Sequence, residues 1–345
     1  ILRDPFDIAL PKKIAVVKKA NSAARKLDRK IRQVQVAYRD SRRKILVANS
    51  HGTLSEDTQV RTLLTVLAVA GTRDIIQRGY ETAGGLIGME VFDERPPEKV
   101  ALTAAERAVR MLTARKAPGG TMPVILSSSA GGTMIHEAVG HGLEADHVQE
   151  GTSVYAGKIG QKVASPLITV LDDATIPGKR GSFSFDDEGV PAQRTVLVDK
   201  GILKSYIHSL STAMKDKVSS TGNGRRESYH HRPIPRMTNI MIAPGKTDPE
   251  AIVRSVDKGL FVKKMGGGQV NTVTGDFVFE VAEGYLITKG KVGEPVRGAI
   301  LTGNGPKVLE TIDMVGSDLG YGLGTCGKDG QGVPVADAQP TLRIP

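Results

Sequence analysis

Gly131-Gly132-Thr133-Met134-Ile135-His136-Glu137-Ala138-Val139-Gly140-His141-Gly142-Leu143-Glu144 sets two imidazoles and two carboxylates into an otherwise apolar, small-residue run. Imidazole is the commonest protein ligand for zinc, and the residue after the first His is where a metallopeptidase keeps its glutamate base. The familiar spacing is H-E-x-x-H, which puts both His on one helical face. Here the spacing is H-E-x-x-x-H, one residue longer. At ~100° per residue the two His of a regular α-helix would then stand roughly 140° apart, too divergent to share an ion. A π-bulge absorbs one residue and brings them back onto one face, and Gly140 is a natural place for it. The segment is therefore either a distorted metal-binding helix or a surface helix with two unrelated His. Spacing alone leaves both open.

Working outward, Met122 to Leu126 reads as a short buried strand that feeds the His segment. Before it, Glu98 to Arg115 has a helical apolar stripe (Val100, Ala104, Ala108, Met111, Leu112) that ends at Pro118-Gly119-Gly120. A domain boundary is placed there, giving residues 1–119 and 120–345. Further upstream, Pro11 to Ile31 reads as a basic helix with Ile14, Val17, Ala20, Ala24 and Leu27 on one side. Alternation over Val34, Val36 and Tyr38, then Ile45 to Ala48, suggests two strands joined through Arg39-Asp40-Ser41-Arg42. Asn49-Ser50-His51-Gly52 is a turn, and β-branched residues from Thr58 to Ala70 and the run Ile75 to Tyr80 give further strands. The N-terminal part is thus a helix with an antiparallel sheet.

Downstream, strands are expected over Pro166 to Leu171 and Ile240 to Ile242, with helices over Pro249 to Lys258 and Gly305 to Val315. Hairpins are expected around Asp199-Lys200-Gly201 and around Glu283-Gly284. Ser219 to Arg236 reads as a long polar loop, and long loops in compact domains are often functional. Its His230 and His231 are read as exposed, since adjacent loop His rarely converge on one ion.

Two His leave a zinc site incomplete, because a catalytic site needs a third protein ligand and a water. Glu144, three residues past His141, is one candidate. Cys326 is the other, in the glycine-rich stretch Gly320 to Gly332, which reads as flexible enough to bring a thiolate to a metal. A lone Cys is more often a small buried hydrophobe, but its setting among glycines and charges favours a ligand.

Ser129-Ala130-Gly131-Gly132-Thr133 before H-E-x-x-x-H, Thr221-Gly222-Asn223-Gly224-Arg225-Arg226, Thr274-Gly275-Asp276-Phe277 before Glu283-Gly284-Tyr285, and Cys326-Gly327-Lys328-Asp329-Gly330-Gln331 together resemble the TldD branch of the TldD/PmbA (TldE) family. The resemblance is best from about Gly120 to Thr341. It implies an α+β, TldD/PmbA-like fold, with a helix-plus-sheet region followed by a β-rich domain carrying a distorted HExxxH helix. It further implies a zinc-dependent peptidase acting on small or unfolded peptides, with His136, His141 and Cys326 as Zn2+ ligands and Glu137 as the catalytic glutamate. Glu144 then moves to a supporting role. The same resemblance implies a homodimer or a heterodimer with a PmbA/TldE-like paralogue. It also leads us to expect an α/β region ahead of Ile1 and a little sequence after Pro345, carrying part of the substrate chamber or partner surface. The competing reading is a non-catalytic metal-binding scaffold or partner subunit.

Composition bounds the remaining classes. A chain of 345 residues with 39% hydrophobic residues can bury a sizeable core. No apolar run approaches the ~18 residues of a membrane span. The single Cys326 excludes an intrachain disulfide and fits a reducing compartment, hence a cytoplasmic expectation. The net charge of +10 is concentrated in the first fifty residues. We read that run as a solvated helix face rather than a nucleic-acid surface, because Tyr38 is the only aromatic interleaved with it.

Overall fold

The computed structural model describes residues 1–50 and 52–345. His51, in the expected Asn49–Gly52 turn, lies outside the described residues. Strands Ile31–Ala48, Leu54–Gly71 and Ile76–Gly85 form a three-stranded antiparallel sheet in sequence order. The first strand runs straight through Arg39–Arg42, so the hairpin expected there does not exist. That tetrapeptide has no glycine or asparagine to take the positive φ of a tight hairpin turn. Its charges serve an exposed edge strand instead: Asp40 accepts from Lys13 at 2.6 Å and Arg42 donates to Asp4 at 2.5 Å.

Helices Leu10–Leu27 and Pro97–Leu112 cover one face of this sheet. Their contact surfaces are built from alanines, Ala20 and Ala24 on one and Ala101, Ala104, Ala105 and Ala108 on the other, all fully buried. Small side chains let the backbones approach closely. At Gly79 a Cβ would stand 1.8 Å from the Ala104 carbonyl, so only glycine lets the second helix lie on that strand. Ile14, expected on the buried stripe of the first helix, is exposed, and the interface runs through Ala20 and Ala24.

Among the described residues, those beyond the second helix build two large sheets and a two-stranded ribbon, Gly224–Arg225 with Ile234–Pro235. The larger runs Met314–Val315, Leu342–Ile344, Val124–Leu126, Lys258–Val270, Asp276–Thr288, Lys291–Arg297 and Arg115–Lys116, with Ile300–Asn304 also on Asp276–Thr288. The smaller runs Gly320–Lys328, Gln331–Gln339, Asn239–Ile242, Val170–Asp173, Arg194–Asp199 and Ile202–Leu203. The principal core lies between them, with Val262, Phe277 and Phe279 from one sheet and Val170, Leu197 and Ile240 from the other. Ile135, Ala138 and Val139 of the His segment are buried in that same core. The segment is clamped between the sheets rather than lying on the surface.

The hairpin at Asp199–Gly201 is present, with positive φ at Lys200 (47°) and Gly201 (84°), as a two-residue I′ turn requires. The one expected at Glu283-Gly284 is absent: Asp276–Thr288 is continuous there. Glu283 looks like a turn residue in sequence, but it is buried and bonded to Arg107 at 2.8 Å and Arg110 at 2.7 Å. This carboxylate ties the second helix to the larger sheet.

Candidate metal centre

The chain enters the site from Val124–Leu126 through a short turn at Ser128–Ala130. Gly132 lies so close to the strand Gln331–Gln339 that a Cβ would stand 2.4 Å from the Ala338 nitrogen. One α-helical turn, Thr133–Ile135, then passes into a π-helical turn over His136–Gly140 and a 3₁₀ turn over His141–Leu143. The π turn takes up the extra residue, and the two rings face each other edge to face with centroids 5.2 Å apart. Gly140 has a packing reason as well as a conformational one. A Cβ there would sit 2.0 Å from Met237 Sδ and 2.9 Å from Ile240 Cδ1.

Cys326 reaches the same place from the strand Gly320–Lys328, across a hairpin closed by Asp329 (φ 50°) and Gly330 (φ 72°). It is buried within a strand, which corrects the flexible stretch expected from its glycines. Those glycines serve close packing: at Gly320 and Gly322 a Cβ would stand 2.2 Å from the Ser128 carbonyl and 2.3 Å from Asp337 Oδ1. Candidate ligand atoms of His136, His141 and Cys326 all lie within 4.8 Å of one another. Cys326 Sγ is 3.6 Å from His141 Nε2.

Burial pushes the Cys326 thiol up, but the two imidazoles more than reverse this and bring it down to about 5. Burial pushes His141 down, and the Glu144 carboxylate and the sulfur drive it well above its ordinary value. The group thus holds its sulfur as a thiolate, stabilised by protons that a metal ion would replace. Glu137 is raised by burial, with the two imidazoles pulling the other way. Its Oε2 is 4.0 Å from His141 Nε2.

Glu144 is fully buried and accepts from His141 Nδ1 at 3.0 Å, fixing the ring. Burial raises its pKa, but His141 and Lys328 overcome this and hold it at about 2. Lys328 donates to Glu144 at 3.0 Å, Asp146 at 2.7 Å and the Pro235 carbonyl at 3.2 Å. Glu144, Asp146 and His147 also cluster, but an ammonium already fills their centre, so we read them as an ion-pair knot. Sequence reasoning missed Lys328, although it lies two residues past Cys326 and so on the same strand face.

The polar loop of residues 219–236 supplies no member of the cluster. His230 is exposed against Tyr229, and His231 Nδ1 meets Ser228 Oγ at 3.0 Å. The loop instead buries Arg236, which donates to the Cys326 carbonyl at 2.5 Å and to that of Gln331.

A cleft of about 400 Å³ opens on the site, lined by His136, Glu137, Lys264, Gly267, Gly322, Thr325 and Asp337, with Tyr80 and Thr82 of the N-terminal sheet opposite. A second hollow of about 290 Å³ shares Tyr80, Thr82, Leu323, Gly324 and Thr325 and extends to Arg39 and Arg180.

Two family models match almost the whole chain: residues 3–112 match the PmbA/TldA metallopeptidase central domain and 119–345 the C-terminal domain. A Haemophilus influenzae protein called a metalloprotease TldD homolog is 42% identical over 340 residues, 96% of this chain and 70% of the relative. The chain belongs to the TldD branch of the PmbA/TldD metallopeptidase family. A Thermotoga maritima protein described as a proposed modulator of a DNA gyrase has a similar structure, with TM-score 0.81 and 25% identity over 99% of this chain and 75% of that one. TldE of Thermococcus kodakarensis shares the fold at TM-score 0.75 and 20% identity, covering 99% and 76%.

The donor set of this TldD-branch chain fits the metal that the family name implies. Ligands at ~2.3 Å (S) and ~2.05 Å (N) on a tetrahedral ion stand about 3.6 Å apart, and the Cys326–His141 separation is 3.6 Å. His136 Nδ1 is buried without a hydrogen-bond partner, a cost an unliganded cluster leaves unexplained. Among the described residues no helix is long and apolar enough to cross a membrane.

Proposed function

We propose that this protein is a zinc-dependent peptidase that hydrolyses small or unfolded peptides. The observation that carries the reading is the convergence of two imidazoles and a thiolate beside a carboxylate at the wall of a cleft. His136, His141 and Cys326 hold the ion, and His₂Cys suits zinc. When bound, the ion supplies a Lewis acid and an acidified water. Glu137 takes a proton at its carboxylate and returns it to the leaving amine, a role suited to a carboxyl raised by burial. Glu144 keeps His141 in one tautomer by accepting its Nδ1 proton. An anionic sulfur ligand leaves a weaker Lewis acid than three imidazoles would, so turnover is expected to be slow.

The cleft also supports a substrate class. Gly320–Lys328 is the edge strand of its sheet, and the strand Lys258–Val270 pairs with Val124–Leu126 only through Leu260–Val262, leaving that side of Lys264–Gly267 open. An extended peptide adds to such an edge through its backbone, and a folded protein does not. The likeness to TldE supports assembly with a PmbA/TldE-like paralogue or a second copy of this chain. A reducing compartment, the cytoplasm, keeps Cys326 available as a ligand.

The test is metal content by mass spectrometry, run with hydrolysis of an unstructured peptide. About one zinc per chain, lost with activity in Cys326→Ser, is expected. Glu137→Gln should keep the metal and lose roughly 10²–10⁴-fold in rate. Zinc retained in Cys326→Ser would remove Cys326 from the ligand set. Metal without hydrolysis in the wild type would leave a non-catalytic metal-binding partner subunit.

A further inference from the structure

Lys264 lines the cleft with His136 and Glu137, and its surroundings differ from those of Lys263 and Arg107 beside it. A lysine is rarely removed from water unless it is paired, because an unpaired ammonium loses hydration and gains nothing. Its neighbour Lys263, though more exposed, is paired and meets Glu283 at 3.2 Å. Arg107, also in the cleft wall, meets Glu283 at 2.8 Å and Glu81 at 3.2 Å. Lys264 is half-buried, yet its ammonium makes no ion pair or hydrogen bond among the described residues. The carboxylate that influences it most, Glu81, is already committed to Arg107, Arg95 and the Thr82 amide. Burial holds the Lys264 pKa down, and Glu81 pulls the other way.

There is room beside it for a partner. A Cβ on Gly267 would meet nothing within 4 Å, so this part of the wall faces open space. Arg107 and Arg95 are close enough to add positive charge around Lys264, and Asp337, in the same cleft wall, adds negative charge. Arg107 and Glu81 are committed to each other, so the unpartnered Lys264 ammonium is the group here that attracts an anion.

We propose that Lys264 is a specificity-determining residue that receives a substrate carboxylate, so that the cleft selects peptides carrying a free carboxylate close to the bond to be cut. The inference rests on reading the cleft as a peptidase site. The carboxylate is either the C-terminal group of the peptide or an Asp or Glu side chain; both present the same planar anion. The rival role for a cation here, holding the oxyanion of the reacting carbonyl, makes different demands. It would lower kcat on every peptide, whereas a carboxylate receptor acts through binding and only on peptides that carry the group.

The experiment uses the intact protein, with any family partner that co-purifies, in a Glu137→Gln background so that peptides survive titration. Three unstructured peptides of one neutral sequence are compared by calorimetry: a free acid, a C-terminal amide, and an amide with one Asp. A charge-assisted hydrogen bond predicts that a carboxylate peptide binds about tenfold to a hundredfold tighter than the plain amide. Adding Lys264→Met should erase that difference and leave the Kd of the plain amide unchanged. Lys264→Arg, which keeps the charge, should retain it. Whichever carboxylate peptide gains identifies the source. Equal weakening of all three peptides by Lys264→Met, or no weakening, overturns the proposal. Met replaces a half-buried charge with an apolar chain of similar length, and an unchanged metal content and unfolding temperature verify its fold. Wild-type hydrolysis is assayed separately. Selective binding without hydrolysis would overturn the peptidase reading alone, and hydrolysis without selectivity would overturn this inference alone.

Discussion

Replacing Lys328 with Met tests whether the buried knot behind His141 governs both stability and metal affinity. The Lys328 side chain is 5% exposed and that of Glu144 is 0% exposed. Among the described residues, removing the ammonium leaves Glu144 with His141 Nδ1 as its one remaining hydrogen-bond donor, and Glu144 Oε1 has no partner to begin with. Asp146 is 21% exposed and can turn to water, so the loss falls on Glu144. Breaking a buried ion pair from one side costs about 3–5 kcal/mol. At about 2–4 °C per kcal/mol for a domain of this size, the unfolding midpoint of the metal-free protein should fall by roughly 6–20 °C.

The same carboxylate orients His141, so metal affinity should drop by about 10–100-fold. Thermal unfolding by circular dichroism gives the first quantity, and competition against a fluorescent zinc chelator gives the second. The double variant Glu144→Gln, Lys328→Met should be more stable than the sum of the single effects, since it removes both charges together. Strict additivity, or an unmoved midpoint with unmoved affinity, would refute the idea that Lys328 works through Glu144.

Three further outcomes follow from the packing. Burial raises the Glu283 pKa, but Tyr285 and Arg107 reverse this and hold it at about 2, against 4.5 unperturbed. Its stabilisation is therefore complete above about pH 4.5 and lost as pH falls toward 2; the acid limb of a stability–pH profile should be shallower in Glu283→Gln than in the wild type. In Gly132→Ala the new Cβ would meet backbone, 2.4 Å from the Ala338 nitrogen, and backbone cannot rotate away. A loss of at least about 1–3 kcal/mol in urea unfolding is expected. Arg236→Met removes the donors that pin the Cys326 and Gln331 carbonyls. Zinc affinity should fall in that variant while Cys326 stays reduced and countable by thiol titration.

The legible part of this chain is the part whose physics is local. The apolar spacing of the helix Pro97–Leu112, the Asp199–Gly201 turn and the odd spacing of His136 and His141 each depend on a few neighbouring residues. What misled were charges read as turns. Asp40 and Glu283 lie inside long strands because Lys13, Arg107 and Arg110 discharge them from elements far away in sequence. Glycines misled in the same way. The run from Gly320 to Gly327 suggests flexibility, yet Gly320 and Gly322 make a strand that packs tightly against Ser128 and Asp337.

Cys326 sits between these cases. It lies 185 residues from His141, so no periodicity links the two; its setting made it one of two candidate third ligands, and the resemblance to a family chose it over Glu144. The fold then supplies a physical reason for the pairing. Gly132 and Gly322 both lie within 3 Å, by a virtual Cβ, of Asp337, which stands on the strand paired with Cys326's own. A side chain at Gly132 would push the His segment away from the strand Gln331–Gln339, and one at Gly322 would displace the Asp337 carboxylate on that strand. The 3.6 Å contact between Cys326 and His141 therefore depends on residues with no functional atoms at all. By this reasoning Gly132, just ahead of the HExxxH motif, belongs to the proposed site alongside its candidate ligands, because it sets how closely the His segment lies on the strand paired with that of Cys326.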